Sequence, residues 1–341
     1  MGKAGAKSAS QWKVRAKLPG LAYYVHALRF SPNGKVLASG VHGTAVWLSD
    51  TKTGKPLHKL DGYETVDNLA FSPDGRMLAA AGAEATNVYD VKTGRRLAAL
   101  DVEGNHVSFS PDGRLLAVAT KKSPLVFETK GWTQSAKLDG HKSGVTFVEF
   151  LAGGSLATCA GKEVRVWDVA GGTSTAFDHK GDTNYLCTSR DGRYVVSAGY
   201  KRHARVWDVA AKEQVAELSG HEQEVWAAAI SDDGALVVTG SGEGAVRVWR
   251  MPGGALAHEF RGEGEEEAEG APVALSAGAK LVAAGMGTVR VWEAASGKPV
   301  ANLPAKAEMS CLAFSPDGKL LAAGSGDGVL IYEVRGARNA R

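Results

Sequence analysis

Among the residues whose spacing could do chemistry, the stretch GHEQEVW, Gly220 to Trp226, comes nearest to a catalytic motif. His221 followed by Glu222 is the front half of a zinc-protease HExxH, in which two histidines one helical turn apart hold the metal and the glutamate is the base. Four residues after His221 stands Val225, so the second ligand is missing. The nine histidines are otherwise scattered, and no two histidines or cysteines have close metal-ligand spacing. GSGEGA, Gly240 to Ala245, resembles a phosphate-cradling glycine loop, but a strand-like run follows it, so no helix N-terminus faces an anion. No Gly-x-Ser-x-Gly nucleophile elbow is present. The three cysteines, Cys159, Cys187 and Cys311, are too few and too far apart for a disulfide framework and read as small buried thiols. These residues give no catalytic constellation, no metal site and no cofactor site, so the expectation is a non-enzymatic protein.

What must position these side chains is a chain of 341 residues with 44% hydrophobic and 23% charged residues and a net charge of +3. That balance is ordinary for a globular protein and lacks the excess positive charge of a dedicated nucleic-acid binder. The N-terminal MGKAGAKSASQWKVRAKL has charge but no apolar centre, and Ala6 breaks the myristoylation pattern. No run approaches the ~18 apolar residues of a membrane span. The expectation is a cytoplasmic protein with no membrane span; its alanine and glycine content suits a GC-rich bacterial genome.

The organising signal is repetition. A turn tetrapeptide recurs: SPNG at Ser31, SPDG at Ser72 and Ser110, LAGG at Leu151, SRDG at Ser189, SDDG at Ser231, SAGA at Ser276 and SPDG at Ser315. The intervals run from 38 to 45 residues. Proline presets one backbone angle, aspartate bonds the local backbone and glycine takes positive φ, which together make a hairpin turn. A short apolar strand lies on each side of every turn. A third strand then ends in an aromatic, as in TAVWLSD, VRVWDV and VLIYEV, and a fourth leads out, as in PLHKL or QVAEL. No segment sustains a helical period.

This four-strand unit resembles the WD40 repeat, one blade of a β-propeller. RVWD is intact at Trp167-Asp168 and Trp207-Asp208, and the Gly-His dipeptide stands at Gly140-His141 and Gly220-His221; the resemblance covers residues 12–334. It implies an all-β fold of eight blades with four antiparallel strands each, seven blades being the less favoured count. The segment VRAKLPG aligns with the outgoing strand QSAKLDG and is expected to complete the last blade, closing the ring. Residues 1–341 then form a single propeller domain with a folded core of 12–334 and flexible tails at 1–11 and 335–341. The resemblance also implies a buried hydrogen-bond network of histidine, Ser/Thr, acid and tryptophan. The sixth repeat offers His221, Thr239, Glu243 and Trp249; the fourth offers His141, Thr158 and Trp167 with no acid at the turn.

In this family the rim at the start of the innermost strands, with the loops between second and third strands, is the usual partner-binding face. Counting back from the end of each first strand gives a ring of His26, Asp67, Asn105, Thr146, Asn184, Trp226, Ala271 and Ser310. Trp226 is the expected anchor, aromatics carrying much of the energy at interfaces; the alternative is that it packs on the next blade. Around the ring stand basic residues in blades three to five (Lys121, Lys122, Lys142, Lys162, Lys180, Lys201, Arg202, His203). Acids follow in blades six to eight: Glu222, Glu224, Glu243, Glu308 and Asp327, plus the run GEGEEEAEG at 262–270. The expected function is a scaffold, monomeric on its own, that binds a protein or peptide on this rim. The alternative is a polyanion, nucleic acid or phosphoinositide, on the basic sector. Near-neutral charge and the absence of a Phe-Arg-Arg-Gly motif weigh against that alternative; YKRHARVW, Tyr200 to Trp207, is only a basic turn entering a strand.

Overall fold

A computed structural model describes residues 12–18, 24–41, 45–61, 65–262, 271–303 and 309–334. These form eight four-stranded antiparallel sheets arranged as the blades of a propeller. Seven blades use four consecutive strands each; blade 1 is Val25–Phe30, Val36–Val41, Ala45–Asp50 and Pro56–Leu60. The eighth takes Met309–Phe314, Leu320–Ser325 and Gly328–Glu333 from the end of the chain and its outer strand, Lys13–Leu18, from the beginning. That strand runs antiparallel to Gly328–Glu333, pairing Leu18 with Val329 and Lys13 with Glu333, and Arg15 adds an ion pair to Glu333 at 3.1 Å. Ala16 and Leu18 pack beneath it against Leu320 and Ile331, and against Val25 and Leu28 of blade 1.

The turn tetrapeptide works through its serine as much as its aspartate. In blade 2 the Ser72 hydroxyl donates to Asp74 at 2.6 Å, Asp74 accepts the Arg76 amide at 3.0 Å, and Ser72 Oγ accepts the Met77 amide at 2.9 Å. Blades 1, 3, 5, 6 and 8 repeat this arrangement, with Asn33 replacing the aspartate in blade 1. Every one of these serines is buried. The fourth blade substitutes buried Leu151, and in the seventh a short 3-10 turn, Ala277–Ala279, takes the place of the eroded motif.

Blades adhere through apolar faces packed against the next blade. Between blades 1 and 2, Val46 and Leu48 meet Leu69, Leu78 and Tyr89, all buried. The fit is close where blade 7 enters: a Cβ on Gly240 would collide with the Ala271 carbonyl, so the second strand of blade 6 needs glycine there.

Candidate functional site

The innermost strands surround a central channel whose upper mouth is a cavity of about 410 Å³. His26, Asp67, Asn105, Thr146, Asn184, Trp226 and Ser310 all line it. Ala271 does not: it is fully buried in the packing between blades 6 and 7, and Pro272 and Val273 reach the cavity in its place. Two local devices bring the others there. In blades 1, 5, 6 and 8 the register of the first strand slips between Val25 and Ala27, Thr183 and Tyr185, Val225 and Ala227, and Met309 and Cys311. The skipped residues are His26, Asn184, Trp226 and Ser310, and a bulge of this kind takes a side chain out of the ladder and re-aims it. In blades 2, 3 and 4, Asp67, Asn105 and Thr146 stand one residue before the strand, tied by their amides to Ala81, Ala119 and Cys159.

Some rim groups also join neighbouring blades. Ser310 Oγ donates to the Val25 carbonyl at 2.5 Å, across the closure between blades 8 and 1, and Thr146 Oγ1 to the Thr183 carbonyl at 3.4 Å. Asn184 Oδ1 is buried and meets no donor among the described residues. Trp226 packs on the neighbouring blade, its ring meeting Tyr200 of blade 5 edge-on with centroids 5.4 Å apart, and it stays 37% exposed. Tyr200 is 55% exposed. Sequence reading missed Tyr200 as a surface group because it follows an apolar strand and reads as its continuation.

Below the mouth the channel continues as a second cavity of about 340 Å³, lined among others by Arg29, His106, Glu149, Tyr185 and Cys187. Apart from Cys187, expected as a buried thiol, none of these stood out in the sequence; their signal is the position three residues or fewer beyond the rim residue of each first strand. His106 stacks on Phe147 with centroids 3.5 Å apart and donates from Nδ1 to the Val148 carbonyl at 2.9 Å. Burial, reinforced by Arg29, holds its imidazole neutral, and its Nε2 is buried without a partner among the described residues. Burial pushes the Glu149 carboxyl up to about 7. Cys159 is fully buried, whereas Cys187 and Cys311 stand half-buried on the channel wall; burial raises all three thiols, Cys311 up to about 12, so they are unreactive.

The histidines of the repeats are structural. In blade 6, Trp249 Nε1 donates to Thr239 Oγ1 at 2.8 Å, and Thr239 meets His221 Nε2 at 2.7 Å. His221 Nδ1 lies 2.8 Å from Glu243. The longer glutamate does reach the acid's place, and Glu243 also accepts the amides of Glu222 and Gln223. Its buried carboxylate is held down to about 2 by the Ser241 and His221 bonds acting against its burial. Glu243 therefore belongs to the network and is not available on the rim. In blade 4, His141 and Trp167 share Thr158 in the same way, and Glu163 stands near the missing acid's place, 3.3 Å from His141 Nδ1, without making the hydrogen bond that Glu243 makes in blade 6. Sequence reading placed no acid there because Glu163 opens the third strand, beyond the turn. Burial holds His141 near 4, so the contact is with a neutral imidazole. Blade 5 has a third set, His179, Ser197 and Trp207, concealed because Asp178 replaces the glycine before the histidine.

Among the described residues the upper face carries more exposed cations than exposed acids, with Asp67, Asp182 and Asp327 among the exposed acids. Glu222 is paired with Arg261 at 3.1 Å, Glu243 faces inward and Glu224 is half-buried; Glu308 and residues 263–270 lie outside the described residues. In the basic sector Lys121 pairs with Glu103, and burial lowers His203 so that it carries no reliable charge. Lys122, Lys142, Lys162, Lys180, Lys201 and Arg202 are exposed and make no ion pair among the described residues. The arrangement can recognise and orient a partner. It has no nucleophile–base pair, and among the described residues no group of three or more acidic, His or Cys side chains could hold a metal ion. Among the described residues no helix is long and apolar enough to cross a membrane.

Comparison with known proteins agrees with the architecture. The pattern described as WD domain, G-beta repeat matches residues 54–87, 132–168, 172–208, 212–250 and 297–331, more than half of the chain. Small ribosomal subunit protein RACK1y of Oryza sativa subsp. japonica is 37% identical over 81 residues, 24% of each chain. Target of rapamycin complex subunit wat1 of Schizosaccharomyces pombe is 24% identical over 190 residues, 54% of this chain and 49% of that one. Guanine nucleotide-binding protein subunit beta of Arabidopsis thaliana is 28% identical over 209 residues, 55% of each. The chain thus matches from a quarter to about half the length of these relatives. Eight blades, shared Trp–Ser/Thr–His networks and five matched repeats lead to one assignment: the chain belongs to the WD40 repeat family.

Proposed function

We propose that this protein is a non-enzymatic scaffold that binds a protein or peptide on the upper rim of the propeller. The observation that carries the reading is the rim itself: seven polar or aromatic side chains, four of them aimed by bulges, line one cavity beside an exposed Trp226–Tyr200 pair. Concave sites with a few placed polar groups and an aromatic anchor are the usual form of a recognition surface. Relatives named as a ribosomal subunit protein, a complex subunit and a G-protein subunit support a role inside assemblies. The test is affinity capture from native lysate with Trp226→Ala as the matched control. A partner retained by the parent and lost with Trp226→Ala supports the reading; a set of partners unchanged by Trp226→Ala and by Asn105→Ala sinks it.

The six unpaired cations favour a second reading, a polyanion on blades 3 to 5. Heparin titration separates the two, since binding to a polyanion falls steeply and linearly with the logarithm of salt concentration.

A further inference from the structure

The exposed apolar surface of the upper face and its unpaired positive charge meet at one place. Tyr200 immediately follows the second strand of blade 5, and Lys201 and Arg202 come next in the loop to the third strand. The Lys201 stem lies across Gly181, where a Cβ would overlap its Cγ, so the side chain is laid along the rim with its ammonium in water. Lys180 precedes that glycine, and Lys142 and Lys162 occupy the corresponding loops of blade 4. On the other side Trp226 meets Tyr200 edge-on and borders the cavity. An aromatic ledge is therefore flanked on one side by exposed cations that form no ion pair among the described residues.

We infer that this sector, from blade 4 to blade 6, docks an extended acidic protein segment that lays one aromatic or aliphatic side chain on the Tyr200–Trp226 ledge. This rests on the rim reading above and names the partner's chemistry. Two observations favour an acidic peptide over a polyanion. The ledge offers apolar contact beside the cations, which a peptide with an apolar residue among acids can use and a sulfated polysaccharide or an inositol phosphate cannot. Exposed Asp182 lies within the same sector and would repel a continuous ladder of phosphates, while a peptide can place a neutral residue opposite it. Attraction by unpaired surface cations also raises the encounter rate of such a segment, an effect that salt screens beyond a Debye length of about 8 Å at physiological ionic strength.

The probe is a fluorescein-labelled peptide of alternating Glu and Ser with one central Phe, titrated with the full chain at low salt by fluorescence anisotropy. Three further ligands are a peptide with Ser for the Phe, a peptide with Lys for every Glu, and a short heparin fragment. Variants are Trp226→Ala, the pair Lys201→Glu/Arg202→Glu, and a control pair of equal charge change in the opposite face's turns, Lys130→Glu/Lys298→Glu. The expected result is about tenfold weaker binding, a change of about 1.4 kcal/mol, for Trp226→Ala, for the Lys201/Arg202 pair and for the Phe-less peptide. The control pair is expected to stay within about twofold of the parent. Equal affinity for the Phe-less peptide or heparin, with no effect of Trp226→Ala, overturns the inference in favour of a polyanion surface. Preference for the Lys peptide, or no binding of the acidic peptide, also overturns it. A cellular partner lost with Trp226→Ala but untouched by Lys201→Glu/Arg202→Glu would leave the rim reading standing and this inference refuted.

Discussion

The hydroxyl of Thr239 serves two rings at once, accepting from Trp249 and meeting His221, which in turn bonds Glu243. Thr239→Val keeps the shape but strands a buried indole N–H and a ring nitrogen together. A loss of about 2–4 kcal/mol in urea unfolding is expected, with Thr239→Ser losing about 1 kcal/mol or less. If the two variants unfold alike, the hydroxyl is not what holds the rings. The same buried histidines set a pH dependence. Burial lowers His141 to about 4 and His179 to about 3, and lowers His106 and His221 as well. The unfolded chain therefore takes up protons first as pH falls below 6.5, and their contribution to stability is lost from there down towards pH 4 and below. Glu149 acts in the opposite sense: raised to about 7, its burial cost is present at high pH and relieved as pH falls from 7 to 4.5. Several histidines outweigh one carboxyl, so Tm should fall by several degrees between pH 6.5 and 4.5. Calorimetry that finds Tm flat or rising over that window would refute the assignment.

At the scale of the element, the repeated turn is a small machine of three hydrogen bonds, and its parts are separable. Asp191→Ala removes the acceptor for Ser189 and for the Arg193 amide and should cost about 1 kcal/mol. Asp191→Asn should cost less, because Asn33 already does this work in blade 1. Thermal unfolding of the two variants decides it, and equal losses would mean that charge rather than acceptor geometry matters. This turn was legible from sequence because its residues are adjacent, and so were the blade count and the closing strand, which follow from eight turns and one unmatched outer strand. The rim was legible only as a position. Why Trp226 and Asn184 leave the ladder depends on bulges, which lie beside Gly240 and Gly199 of the second strands and leave no mark in the first strand itself. The channel wall was hidden for a related reason: Arg29, Glu149 and Cys187 come from separate repeats and meet only when the ring closes. The His179 network was hidden by a single substitution, Asp178 where blades 4 and 6 carry the glycine before their histidines.

The whole molecule is a chain of near-identical units, each packed only on its neighbours, and arrays of that kind lose cooperativity when their ends are free. Here the ends are joined. Lys13–Leu18 completes blade 8, Leu18 and Ala16 bury against blades 8 and 1 together, and Ser310 bonds the Val25 carbonyl across the same junction. Any blade that opens must therefore part from two neighbours, and a disc held this way keeps its rim residues in fixed relation, which a binding face assembled from eight separate strands requires. Deleting residues 1–18 exposes the Gly328–Glu333 edge and uncovers the apolar seam between blades 8 and 1. The parent should unfold in urea with coincident curves from tryptophan fluorescence and far-ultraviolet circular dichroism, as a single cooperative transition does. The truncated chain should give a shallower transition in which the two probes separate, together with dye binding to exposed apolar surface in the absence of urea. Val14→Glu, which alters an exposed position of the same strand and leaves the seam intact, should keep the parent's sharp transition. If the truncated chain also unfolds sharply and with coincident probes, cooperativity comes from neighbour contacts alone, and closure by the first strand does no more than cover an edge.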